Sequence, residues 1–162
     1  MPSPSPSESE QRRELEQLQV ALATRLVHPE QSSECFDFDP KELDRATETL
    51  IRKRLSQTRW LIPESVKSIG KDYRRLFREY SKSHHFDGHR AILLDAVHFA
   101  DWMLARVNNQ TDPDAKKLVD SLRWEQELCR LRLSRFRVRL IRNSQGRYLM
   151  VRVGKFLRIW KL

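Results

Sequence analysis

Four of the chain's five histidines, His84, His85, His89 and His98, fall within the stretch "SKSHHFDGHRAILLDAVHFADW", together with Asp87, Asp95 and Asp101. Imidazoles and carboxylates bind transition metals and carry protons near neutral pH, so the stretch raises both chemistries. Spacing decides between them and a plainer reading. A transition-metal site needs three or four converging ligands, as HExxH or paired CxxC supply, and neither pattern is present. His84 and His85 follow the end of one helical pattern, Asp87–Gly88 is a turn signal, and His89 opens the next helix. Asp95 and His98 are close enough in sequence to share a helix face, whereas Asp95 and Asp101 do so only loosely. The stretch reads as a polar corner between helices, with no metal site and no catalytic residue.

Other chemical signatures are missing from the chain. GxSxG, GxxxxGK[ST] and GxGxxG do not occur, and the 4 glycines are isolated from one another. Cys129 sits among arginines, a setting that lowers a thiol pKa, yet no partner base is placed beside it in sequence. The expectation is a non-enzyme without a cofactor. Cys35 and Cys129 lie far apart with no ligand spacing, which fits two free thiols in a reducing cytoplasmic compartment.

Charge is the stronger signal. The net formal charge of +9 is unevenly spread: residues 123–162 hold ten Arg and two Lys against Glu125 and Glu127, while the remainder is close to neutral. Such asymmetry points to an anionic partner for one face. Within the basic segment, "RFRVRLIR" alternates Arg135, Arg137 and Arg139 with Phe136, Val138 and Leu140, the two-residue period of a half-buried strand. The expectation is that the apolar side packs on the body while the arginines face outward, joined by Arg152 and Arg158. Three guanidinium groups along one side of a strand repel unless something acidic lies opposite. A second basic stripe, Lys71, Arg75, Arg78 and Lys82, has the four-three-four spacing of one helix face.

These residues need a scaffold. At 162 residues, 39% hydrophobic and 33% charged, the chain can bury a real core, and no apolar run approaches a membrane span. "MPSPSPSESE" lacks the basic start and apolar centre of a secretory signal, so residues 1–7 read as a disordered Ser/Pro lead. Leu15, Leu18, Leu22 and Leu26 recur at helical spacing behind an acidic start. A polar linker with Phe36 and Phe38 follows. "DPKE" combines an Asp39 cap, Pro40 at the first helical position and Glu42 for a capping box. That helix carries Leu43, Ala46, Leu50, Arg54 and Leu55 along its stripe and ends before Pro63. A short helix runs from Pro63 to a stop at Gly70, and another follows with Tyr73, Phe77 and Tyr80 on one side. Residues 88–107 form the most apolar helix, with Leu93, Ala96, Phe99, Ala100 and Met103 as its inner stripe. Asp112 and Pro113 open the last helix. After Ser134 the period becomes two, with turns at "NSQG" and "GK" between three strands. The fold class expected is mainly α: a bundle of five to six helices over 8–133, with a basic antiparallel meander over 134–162 packed on it.

The order of landmarks also carries a resemblance. "LEQLQVALATRLV", "FDFDPKELDRATETLIRKR", "IPESVKSIGKDYRRLFREYSK", "DAVHFADWML" and the closing "RFRVRLIR … FLRIWKL" together resemble small bacterial helical proteins of DUF2063/HvfC type, a family labelled DNA-binding. The likeness runs over most of the chain from about Leu15. Phe36 stands where the family carries a glycine before "FD". The resemblance implies a non-catalytic accessory protein that helps present a ribosomally made peptide to a DUF692-type iron enzyme.

Two readings follow. In the first, the chain is an accessory module that recruits a protein or peptide, with strand addition as one mode. In the second, it binds nucleic acid through the Arg-rich strands and the 71–82 helix, with Tyr73 or Trp160 stacking on bases. A solvated, partnerless set of arginines is the plain alternative to both.

Overall fold

The computed structural model describes residues 8–27, 39–86, 88, 90–107 and 112–162. The Ser/Pro lead, the linker with Cys35, and Asp87 and His89 lie outside the described residues. The helices are α1 (Glu8–Val27), α2 (Pro40–Leu61), α3 (Pro63–Ile69), α4 (Tyr73–Ser81), α5 (Ala91–Val107) and α6 (Pro113–Leu133), with a 3₁₀ turn at Gly70–Asp72. Strands β1 (Phe136–Asn143), β2 (Gly146–Val153) and β3 (Phe156–Lys161) complete the chain. The fold is mainly α with a small C-terminal antiparallel meander, as the periodicities require. Its contacts divide into two compact units, Met1–Leu50 and Ile51–Leu162, with the boundary inside α2.

In the first unit, the Asp39 carboxylate accepts the Lys41 N–H at 2.9 Å and satisfies one of the donors that a helix start leaves open. Leu15, Leu18 and Leu22 of α1 are all exposed.

The second unit holds the core. Pro63 stops α2, and the intervening Ile62 is driven fully inside. Gly70 takes φ +66°, a conformation that costs glycine little, and this lets α3 turn into α4. Tyr73, Phe77 and Tyr80 recur at spacings of four and three, so all three rings of α4 point inward against Phe99 of α5. Their centroids lie 5.4–5.6 Å from that of Phe99 in tilted and edge-on geometries. Each such pair adds about 0.5–1.5 kcal/mol beyond simple burial. Ala96 and Ala100 keep α5 slim on the same buried side, and Met103 continues the stripe. Helix α6 closes the core with Ala115, Leu122 and Cys129. Gln126 fixes its register by donating from Nε2 to the Val97 carbonyl at 2.9 Å.

Two buried carboxylates tie these elements together. Arg54 of α2 grips Asp95 of α5 with Nε–Oδ2 at 2.9 Å and Nη2–Oδ1 at 2.6 Å. The second, Glu125 of α6, accepts the backbone N–H groups of Glu64 and Ser65 at 2.8 and 2.9 Å, and the Ser65 hydroxyl as well. It thereby caps α3 from 60 residues away. The sheet has order β1-β2-β3, and Met150 of β2 is fully buried.

Candidate partner surface on the C-terminal sheet

Register assigns every strand residue to a side. Pairings such as Arg137↔Arg152, Arg139↔Met150 and Met150↔Ile159 place these side chains on one face. That face meets α6. Met150 is sealed inside, and the Tyr148 ring stands edge-on to Trp124 at 4.9 Å. Glu127 of α6 gathers three guanidinium groups: Arg130 Nη1 at 3.0 Å, Arg137 Nη2 at 3.3 Å and Arg139 Nε at 3.3 Å. Arg152 donates from Nη1 to the Leu131 carbonyl at 2.8 Å, satisfying an acceptor in the last turn of α6.

The expectation of outward arginines and inward Phe136, Val138 and Leu140 is therefore reversed. Arg137 and Arg152 are part-buried and bonded, and Arg139 is half-exposed against Glu127. The acidic group that the arginine row required lies within the chain, on α6. Arg135 is exposed, and its carbonyl receives the Gly154 N–H at 2.7 Å.

The outer face shows the opposite chemistry. Its rows are Phe136, Val153 and Phe156, then Val138, Val151 and Arg158, then Leu140, Leu149 and Trp160. Arg142 and Arg147 pair directly across the end of β1 and β2, and Leu162 continues the row beyond β3. Phe136, Leu140 and Phe156 are 70%, 65% and 68% exposed. Among the described residues no carboxylate pairs with Arg142, Arg147 or Arg158.

Among the described residues both outer strands, β1 and β3, pair only with β2. Leu162 donates to the Arg147 carbonyl at 2.9 Å, so even-numbered residues of β3 bond inward to β2. The alternation of an antiparallel ladder then turns the N–H and C=O groups of Leu157, Ile159 and Lys161 outward.

The second basic stripe does not form one helix face. Lys71 lies in the 3₁₀ turn and Lys82 at the C-cap of α4, so only Arg75 and Arg78 are within that helix. Arg75 pairs with Asp72 at 3.2 Å. Arg78 lines an open cleft of about 480 Å³ with Ile51, Arg52, Leu55 and Arg74. Tyr73, one of the two residues expected to stack on bases, is buried and donates to the Leu55 carbonyl. Burial, first, and the Asp95 charge push its phenol pKa upward.

The histidine corner is packed rather than convergent. His84 stacks on Tyr80 at 4.5 Å and His98 on Phe86 at 4.8 Å. Asp95 points inward to Arg54 while His98 is exposed, so these two do not share a face. Asp101 pairs with Arg130 at 3.0 Å. Among the described residues no three His, Cys, Asp or Glu side chains converge as metal ligands would. Cys129 is fully buried, and its thiol is pushed up to about 11 by burial, with Arg132 opposing this only secondarily. The lowering expected from nearby arginines is thus overruled by desolvation. A further cleft of about 420 Å³ lies between α6 and the β1–β2 turn, lined by Lys117, Asp120, Trp124 and Tyr148 among others. Asp120 accepts the Ser144 N–H at 3.0 Å there, holding the turn to the helix.

The outer face was missed at the sequence level, although signals for it exist. Glu127, one of only two acids in the Arg-rich segment, marks the side on which the arginine row is neutralised. In addition, β3 carries apolar residues on both sides, Phe156 and Trp160 on one and Leu157 and Ile159 on the other.

Among the described residues no helix is long and apolar enough to cross a membrane. No curated protein and no solved structure matches the chain. A family model, that of the SCO6045-like, C-terminal domain, matches residues 16–105. The matched range runs from within α1 nearly to the end of α5, and leaves α6 and the sheet outside it. With more than half of its length matched, the chain belongs to the SCO6045-like C-terminal domain family.

Proposed function

We propose that this protein is a non-catalytic accessory module that captures an extended peptide along the free edge of β3 and presents it to a partner enzyme. The observation that carries this reading is the open edge at Leu157, Ile159 and Lys161 on a sheet whose inner face packs on α6 through Met150 and Tyr148. An exposed, apolar edge strand is a ready template for another chain, and strand addition uses its main-chain groups for affinity and its side chains for specificity. In the finer form, the resemblance to DUF2063/HvfC-type proteins makes the partner a DUF692-type iron enzyme and the captured strand its substrate peptide. The nucleic-acid alternative keeps Trp160 as a stacking platform but loses Tyr73. The outer face carries Arg142, Arg147 and Arg158, which could contact phosphates or guanine edges, but its other positions are aliphatic or aromatic.

A pull-down from the native host, with and without nuclease, tests the reading when paired with Ile159→Pro. The Ile159 N–H points away from β2, so proline removes a donor from the free edge without breaking the existing ladder. The expected result is a folded variant that loses its captured peptide, with nuclease making no difference. Unchanged capture by Ile159→Pro, or capture abolished by nuclease, overturns the proposal.

A further inference from the structure

The free edge does not account for the outer face of the sheet. Seven of its apolar side chains, Phe136, Val138, Leu140, Val153, Phe156, Trp160 and Leu162, are between 47% and 70% exposed. With aromatic residues presenting about 150–250 Å² each and aliphatic ones rather less, they leave on the order of 700 Å² in water. Monomeric proteins rarely expose contiguous apolar patches beyond roughly 300–600 Å². A stable protein partner covers about 800 Å² per side. The patch has the size of an interface.

We infer that this outer face is a second docking surface, shaped for an acidic amphipathic helix of a partner protein. Shape is the first reason. Three strands about 4.8 Å apart, each with four same-face positions, make a strip roughly 10 Å wide and 20 Å long. One α-helix, about 10–12 Å across, covers that strip with about 14 residues. A sheet face closed by a helix is also one of the few stable two-layer arrangements. The strand pattern agrees, because β3 puts two apolar residues on each side, Phe156 and Trp160 on the outer and Leu157 and Ile159 on the inner.

Charge chooses the occupant. Arg142 and Arg147 stand directly opposite each other at one end of the strip, an arrangement that costs stability when like charges are left uncompensated. Arg158 interrupts the apolar row on β3. Residues 123–162 are strongly basic, so a second copy laid face to face would bring six guanidinium groups together without a counter-charge. A helix with leucines at i, i+3, i+4 and i+7 and carboxylates beside them answers both features. This surface is independent of peptide capture, which uses the edge of β3 and not its face.

The test uses a fluorescein-labelled, lactam-bridged helix of about 14 residues with a leucine stripe and glutamate flanks, and a twin with lysine flanks. Fluorescence anisotropy with the full chain at low salt is expected to show the glutamate helix binding at least about tenfold more tightly. The double charge reversal Arg142→Glu with Arg147→Glu should invert that preference. Leu140→Ser, an exposed substitution that spares the core, should weaken both peptides. Ile159→Pro should bind the glutamate helix like wild type, which separates this surface from the edge. Equal binding of the twins, or no binding of either, overturns the inference. So does sedimentation as a dimer that Leu140→Ser makes monomeric, since a second copy then occupies the face. Preferential binding to phosphatidylglycerol vesicles over the glutamate helix would equally overturn it in favour of a lipid surface.

Discussion

Removing the Arg54 guanidinium should be among the most damaging single changes in the second unit. The side chains of Arg54 and Asp95 are only 14% and 3% exposed, and two short bonds join them in a fork. Arg54 Nη2 also donates to the His84 carbonyl at 2.7 Å, so one side chain links α2, α5 and the corner after α4. In Arg54→Met the Asp95 carboxylate keeps, among the described residues, only the Tyr80 hydroxyl, at 3.3 Å, as a side-chain donor. A buried charge deprived of its partner costs about 3–5 kcal/mol. With a urea m-value of about 1–3 kcal/mol/M, the midpoint should fall by roughly 2 M. The double variant Arg54→Met with Asp95→Leu removes both charges and should recover a large part of that loss, because paired apolar replacements are often close to neutral. Equilibrium urea unfolding, followed by tryptophan fluorescence for both single variants and the double, closes the cycle. A loss below about 1 kcal/mol in Arg54→Met, or strict additivity of the two changes, would refute the reasoning and reduce the pair to a surface contact.

Three further outcomes are expected. Phe99→Ala empties the centre of the aromatic cluster and should cost about 3–5 kcal/mol; a melting temperature within a degree or two of wild type would contradict it. Cys129 should resist a disulfide reagent at pH 8 in the native protein and react fully in urea, since burial lifts its thiol; rapid native reaction would contradict this. Burial raises the pKa of Glu125, with the Ser65 and Glu64 hydrogen bonds opposing. Its folded value thus lies above the unfolded value of about 4.3, so stability should decline as pH rises through that window and level off above the folded pKa. Glu125→Gln should flatten the decline while costing about 1–3 kcal/mol for the N–H left without its acceptor; unfolding midpoints measured from pH 4 to 8 check both effects.

Much of the framework was legible because its punctuation is local. Asp39 with Pro40, Pro63, Gly70 and Asp112 with Pro113 each act within a residue or two of themselves, and the helices begin and end there. The inner stripe of α5 was equally readable, from Ala96, Phe99, Ala100 and Met103 at helical spacing. The side of β1 that faces inward was not. A two-residue period sorts residues into two sets, but which set is buried depends on what lies against it. Here Glu127 and the Leu131 carbonyl outbid the apolar row for contact with α6. Arg54, sitting on an otherwise apolar stripe, was a hint of the buried pair, but its partner Asp95 is 41 residues away and no local rule connects them. The 3₁₀ turn that breaks the Lys71–Lys82 spacing is a one-turn deviation that periodicity does not resolve.

The capping of α3 by Glu125 has a consequence for synthesis. A seven-residue helix is far shorter than the roughly 12–15 residues that hold together alone in water. Its start is satisfied by a carboxylate that leaves the ribosome 60 residues later. At about 5–20 residues per second, α3 waits several seconds for its cap. Slower decoding of α6 lengthens that wait, and a chain released before Glu125 is made carries α3 without its cap.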